Sequence, residues 1–250
     1  MRRTSRLSVL VSLFTLALLA PAGVASAASD RLPDLAMARL QKIVTDNTAD
    51  GRRLLRFSAI IVNVGVGPFE LRSRRPDTSS SWSSRQVIYN DAGGSRTVDT
   101  PSVQLIYGGD GHDHWHVKDL EKYRLVPLDT TSGDRIGHKA GFCFFDNYQY
   151  KLALPGAPQD PVYRRWGCGT RDRVQLKTGM SVGWGDNYRW SLPDQYIDTT
   201  GLPNGTYRLW ATADQANFFQ ESNDANNSTW ADLRIDATTG VTVLRRAPNP

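Results

Sequence analysis

Histidine is scarce in this 250-residue chain, yet three of its four histidines stand together as His112, His114 and His116. On an extended backbone an i, i+2, i+4 spacing puts all three imidazoles on one face. Imidazole is the usual ligand of borderline divalent ions, so the triplet reads as a metal site, with copper(II) or catalytic zinc as the candidate ions. A flat strand at ~3.3 Å per residue would hold the outer two Cα atoms roughly 13 Å apart, too far to share one ion. The segment must therefore bend, and Gly108, Gly109 and Gly111 give the backbone freedom to do so. Asp113 falls on the opposite face, and Trp115 reads as packing rather than chemistry.

Cys143 and Cys168 are the only cysteines. In an exported protein an even pair favours a disulfide, and Phe142 and Phe144 around the first suit a buried bridge. The alternative is thiolate ligation of the same metal, as in His/Cys copper sites. Lys139 and Tyr188, taken alone, read as a solvent lysine and a half-buried aromatic.

The elements that must position these groups are strands. Residues 54–62 form a β-branched and aromatic run closed by Asn63-Val64-Gly65, and 69–71 resume after Gly67-Pro68. Residues 207–212 follow the turn sequence Leu202-Pro203-Asn204-Gly205, and 230–235 alternate apolar with polar, which predicts an antiparallel hairpin at the C-terminal end. No segment sustains helical periodicity over three turns. The expectation is an all-β, antiparallel β-sandwich-like domain with long loops and little helix. Residues 72–96, rich in Ser, Arg and Gly, read as a solvated loop or, failing that, a contact surface for an acidic partner.

Residues 1–27 carry the three zones of a secretory signal: Arg2, Arg3 and Arg6, an apolar run over 7–20, then Ala25-Ser26-Ala27. The export route, general or twin-arginine, stays open. Removing this segment takes away three arginines and no acid, so 30 basic against 25 acidic residues become 27 against 25, and the net charge falls from +5 to +2. A nucleic-acid partner loses its electrostatic support, and no later stretch is apolar enough to span a bilayer. The expected organisation is a signal over 1–27 and a single domain over 28–250, with the mature protein secreted.

The ordered set of blocks resembles the catalytic domain of the lysyl oxidases. It comprises Leu32-Pro33-Asp34-Leu35, Leu54-Leu55-Arg56-Phe57, the histidine triplet, Gly-His-Lys-Ala-Gly-Phe-Cys at 137–143, and Arg-Arg-Trp-Gly-Cys at 164–168. It continues through Asp186-Asn187-Tyr188, Gln195-Tyr196-Ile197-Asp198, Asn204-Gly205-Thr206-Tyr207 and Glu221-Ser222-Asn223-Asp224, covering 32–235. The resemblance implies copper on His112, His114 and His116, a lysine tyrosylquinone cofactor formed from Lys139 and Tyr188, and a Cys143–Cys168 pair. It implies oxidation of a primary amine, foremost the ε-amine of lysine in a protein or peptide, by O2 to an aldehyde with release of H2O2 and ammonia. Such chemistry needs a base to take a carbon-bound proton. Asp119, Asp186 and His138 are the candidates by position.

The pattern also departs from that of the animal enzymes. It has fewer cysteines, Ile106-Tyr107-Gly108-Gly109 before the triplet where a Trp and a His are expected, and Tyr123 where a further histidine would stand. These differences imply a pared-down, bacterial member and put collagen and elastin in doubt as substrates more than the reaction. Two other readings remain: a non-catalytic copper-binding or adhesive extracellular β-sandwich, and hydrolytic zinc chemistry at the same histidines, which leaves the Gly-His-Lys block unexplained. Oligomeric state is not legible in the chain.

Overall fold

A computed structural model of the chain describes residues 28–108, 112–129, 131–137, 139 and 141–250. The signal read at 1–27 and His138 lie outside the described residues. Within them every strand pair is antiparallel and the only helical element is a single 3₁₀ turn, Arg165–Cys168. The all-β sandwich-like expectation holds. No helix among the described residues is long and apolar enough to cross a membrane.

The spine is the strand Arg53–Asn63, buried along both faces because nearly every residue from Leu54 to Val62 is apolar. It pairs with Leu35–Met37, Gln41–Asn47, Tyr196–Asp198 and Trp184–Tyr188. The last pairing sets Asp186 opposite Ile61 and Tyr188 opposite Ala59. Gly205–Ala213 alternates strictly between buried and half-buried residues, as its sequence period demands. It pairs with Ser228–Asp236, Trp210 facing Trp230, as expected, but the connection is the long segment 214–227 rather than a tight turn. Asp214 holds the start of that segment by accepting the backbone N–H groups of Phe218 and Phe219.

The main apolar core runs from Leu35 to Ile235, with Phe57 meeting Tyr123 edge-on at 4.7 Å between ring centroids, and a smaller cluster of Ala36, Ala38, Ile60 and Val62 covers the other face of the spine. Burying a side chain of this size stabilises by about 2–3 kcal/mol. The core is closed near the site by Asp146, whose buried carboxylate accepts the N–H groups of Val162, Tyr163 and Ser181 and the Ser181 hydroxyl. Four donors on one carboxylate tie the segment after Cys143 to the strand Gln175–Met180.

The loop expected at 72–96 is corrected. Residues to Arg74 finish the strand Phe69–Arg74, Ser83–Asn90 is an eight-residue strand, and Ser95 and Arg96 open the strand Ser95–Asp99. Low apolar content concealed the alternation, because several buried positions here are polar and satisfied by partners. Ser73 and Ser84 hydrogen-bond to each other at 2.7 Å, and Gln86 bonds the backbone of Gln220 in both directions.

Candidate metal and cofactor site

The histidine segment bends as its spacing requires. Only His116 lies in a strand, Trp115–Lys118, while His112 and His114 precede it. Ring centroids lie 4.9 Å apart for His112 and His114, 4.5 Å for His114 and His116, and 5.8 Å for His112 and His116. Each ring offers a nitrogen within 4.8 Å of the others. Donor atoms on a tetrahedral ion at 2.0–2.1 Å stand roughly 3.3 Å apart, so small side-chain rotations bring the three together.

The Nδ1 of His116 is 2.9 Å from the carbonyl oxygen of Gly108. A carbonyl only accepts, so Nδ1 carries the proton and Nε2 keeps the lone pair a metal needs. Gly108 also donates its N–H to the His114 carbonyl at 2.9 Å and sits at φ +70°, a conformation glycine takes at no steric cost. Gly141 is required for another reason: a Cβ there would stand 2.8 Å from the His116 Cβ.

Cys143 and Cys168 are bonded to each other, with Cα atoms 6.1 Å apart. Their sulfurs approach the His114 ring, but a disulfide offers no thiolate, so the His/Cys ligation alternative falls away. Trp115 is half-buried between Tyr107 and Trp82, a packing role as expected.

Lys139 and Tyr188 are not the solvent lysine and half-buried ring of their isolated readings. Both are buried, and the Lys139 Nζ lies 3.1 Å from the centroid of the Tyr188 ring. Tyr188 ends the strand Trp184–Tyr188, stacks on Phe142 at 4.4 Å, and accepts the Cys143 N–H on its hydroxyl at 3.0 Å. Its ring centroid is 6.2 Å from that of His112. Metal-ligand candidates, lysine and tyrosine therefore form one cluster.

The base candidates separate. Asp119 is exposed and sits 3.9 Å from the Lys118 ammonium. Asp186, two residues before Tyr188 and on the same face, is fully buried and accepts a hydrogen bond from Asn147. Burial holds its carboxyl well above the usual range, against the opposing pull of Lys139 and Asn147.

A residue missed in the sequence is Glu121. Its side chain is buried, the Tyr123 hydroxyl lies near enough to lower its proton affinity, and neither carboxylate oxygen makes a hydrogen bond of ordinary geometry among the described residues. The Tyr123 hydroxyl beside it is held by Gln195 at 2.7 Å. Burial pushes Glu121 up to about 7, although the Lys139 charge pulls it down. Glu121 and Lys139 line a cavity of about 280 Å³ together with Asp119, Tyr123, Gly137 and Gln215. The signal was there: Glu121, Tyr123 and Leu125 are the inward positions of a strand of period two, Glu121–Pro127.

A second carboxyl, Glu221, is also raised by burial, to about 8, while accepting hydrogen bonds from the Leu35 N–H and from Asn227. Both shifts have the same sign for stability. A carboxyl raised in the folded state binds more protons there than in the unfolded chain, so its contribution is complete below about pH 4.5 and lost as pH rises to 7–8. The shifts are worth on the order of 3 kcal/mol for Glu121 and 5 kcal/mol for Glu221. Denaturant unfolding of the metal-free protein is expected to show falling stability from pH 5 to 8, and Glu221→Gln to flatten the fall. A slope unchanged by that substitution would overturn the assignment.

Residues 100–244 match the sequence model of the family described as Lysyl oxidase. The chain belongs to the lysyl oxidase family. Lysyl oxidase homolog 4 of Mus musculus is 28% identical over 178 residues, covering 70% of this chain and 18% of that protein. Protein-lysine 6-oxidase of Gallus gallus is 28% identical over 188 residues, 74% of this chain and 34% of that protein. The Homo sapiens protein of the same name is 27% identical over 189 residues, with the same two shares. This lysyl oxidase family chain thus matches between about a fifth and a third of the length of those relatives. The matched region holds the three histidines, Lys139, Tyr188, both cysteines and Glu121. The strands before residue 100 lie outside it, yet they supply the core strand on which Tyr188 is aligned.

Proposed function

We propose that the chain is an exported copper- and lysine tyrosylquinone-dependent amine oxidase acting on primary amines, foremost the ε-amine of lysine in a protein or peptide. One observation carries the reading: the Lys139 Nζ lies 3.1 Å over the face of the Tyr188 ring, beside three converging imidazoles. A lysine amine and a phenol in van der Waals contact are the two partners the cross-link needs.

The donor set fits the metal. His112, His114 and His116 are nitrogen ligands suited to copper, and the Gly108 carbonyl fixes the tautomer of His116. When in place, copper and quinone supply what side chains lack, acceptance of two electrons from an amine and their return to O2. Overall, R-CH2-NH2, O2 and water become R-CHO, NH3 and H2O2.

The chain's own residues bind, orient and move protons. Phe142 stacks against the Tyr188 ring and the Cys143 N–H holds its oxygen, which fixes the plane of the ring. The cavity beside Lys139 is wide enough for an extended alkyl amine, and the exposed Asp119 at its wall attracts an ammonium. Glu121 takes the carbon-bound proton: its desolvated carboxylate, raised to about 7, is matched to that work near neutral pH. Asp186 is not among the cavity's lining residues and serves to hold Tyr188's strand through Asn147.

The test is peptide mass mapping and visible absorbance of copper-loaded protein. The expected result is one peptide joining the Lys139 and Tyr188 segments, with a quinone band, and peroxide release on adding a lysine-containing peptide. Separate peptides from copper-replete protein would overturn the reading and favour a copper-binding, non-catalytic domain.

A further inference from the structure

The strands Phe69–Arg74, Ser83–Asn90 and Gln175–Met180 lie side by side, and their register puts like charges opposite one another. Arg72 faces Arg85 on one side and Lys177 on the other, three cations in one row, and Arg74 stands in the next row between Ser83 and Gln175. Directly opposed like charges destabilise a sheet, so this row is kept against its local cost.

Neutralisation is partial. The buried Glu70 carboxylate takes Arg72 at 2.6 Å and Lys177 at 3.2 Å, and the exposed Asp99 takes Arg85 at 2.7 Å. Arg74 and Arg173 make no ion pair among the described residues. Arg75 is 4% exposed, with a guanidinium bonded, among the described residues, to the backbone carbonyls of Thr78, Arg171 and Arg173 and lying against the rings of Trp82 and Trp115. Among the described residues no carboxylate pairs with it directly, Asp172 being an acid that feels its charge and that of Arg173, and a buried cation without a bonded carboxylate is costly.

These residues line a groove of about 1130 Å³ that contains no acidic side chain. At its wall stands Trp166, 79% exposed, on the Arg165–Cys168 turn that the disulfide anchors. A fixed, exposed indole beside guanidinium forks offers a flat apolar face next to oxyanion donors. The groove shares no lining residue with the cavity beside Lys139.

We propose that this groove is a docking site for an anionic polysaccharide, with sugar rings stacked on Trp166 and sulfate, phosphate or carboxylate groups held by Arg72, Arg74 and Arg173. Five arginines against one lysine favour forked recognition of planar or tetrahedral oxyanions over a diffuse charge contact. Single-stranded nucleic acid calls for a series of aromatic platforms for successive bases, and the groove lining holds one aromatic. Arginine clusters also take acidic peptides, but the fixed, exposed indole of Trp166 beside them offers the flat apolar face on which a sugar ring stacks.

The experiment uses the full mature protein and size-defined heparin fragments, with binding followed by calorimetry and tryptophan fluorescence. Binding is expected to quench indole emission and to weaken steeply with added salt. Arg74→Ser with Arg173→Ser should weaken it at least tenfold, and Trp166→Ala should weaken it and remove the quench, while copper content and thermal midpoint stay unchanged. Absent binding, or binding indifferent to all three substitutions, would overturn the proposal. So would tighter binding of a single-stranded oligonucleotide or poly-glutamate of equal charge, which would assign the groove to another class of partner.

Discussion

Lys139→Arg is expected to abolish the quinone band and lower amine oxidation by at least about 10³-fold, the scale on which loss of a covalent-catalysis group is felt, while copper stoichiometry stays at the wild-type value. The substitution isolates one property. Arginine keeps a positive charge over the Tyr188 ring and beside Glu121 and Asp186, so the electrostatics that hold the cluster are retained. Its guanidinium stays protonated and offers no nucleophilic lone pair to an oxidised ring. His116 is fixed by its strand and by the Gly108 carbonyl, neither of which the substitution changes. Metal analysis, absorbance and peroxide release measured on one preparation separate the effects. A variant that keeps both the band and the activity would sink the cofactor assignment, and one that loses copper would show that Lys139 organises the metal site.

Replacing both cysteines, Cys143→Ala with Cys168→Ala, should cost about 3.5 kcal/mol, or roughly 10 °C in the thermal midpoint. The figure follows from the 25-residue separation, because the bridge removes loop entropy from the unfolded chain. Two further consequences distinguish this bridge from a generic staple. Cys143 donates its N–H to the Tyr188 hydroxyl, so a loosened Cys143 frees the ring that must stay under Lys139. Cys168 ends the turn that carries Trp166, so the variant should also lose the fluorescence response proposed for the groove. Thermal melts of the variant and of reduced wild-type protein should agree. A loss below about 1 kcal/mol in both would mean that packing of Phe142 and Phe144 alone holds the segment.

Much of the site was legible because its chemistry is local. A triplet of histidines at alternate positions needs no neighbour to be recognised, and two cysteines admit only one pairing. The bend in the triplet followed from chain geometry alone, since a flat strand cannot bring its outer ligands together. The core strand at Arg53–Asn63 and the pair at Gly205–Ala213 and Ser228–Asp236 were legible because a hydrophobic period survives in any short window.

Other features were hidden for the same physical reason turned around. Residues 72–96 looked like a loop because the window shows composition, not partners, and Ser73, Ser84 and Gln86 are buried only by virtue of what faces them. Asp119 and Glu121 are two acids on one short stretch. The backbone turns at Asp119, which has φ +54°, and sends one side chain to solvent and the other to the interior. Arg75 reads as one more surface arginine until two tryptophans close over it.

The class of fold and the scarce histidines and cysteines of the candidate site were legible in the chain, because each rests on periodicity or on residue identity, while the bridge itself was decided against thiolate ligation by the structure. Only the tertiary structure decided that Lys139 lies over Tyr188, that Glu121 rather than Asp119 is desolvated beside it, and that three strands align their cations into one groove. Contact between residues far apart in the chain, and the burial that shifts a carboxyl's proton affinity, depend on strand register across sheets, which no local window of sequence contains.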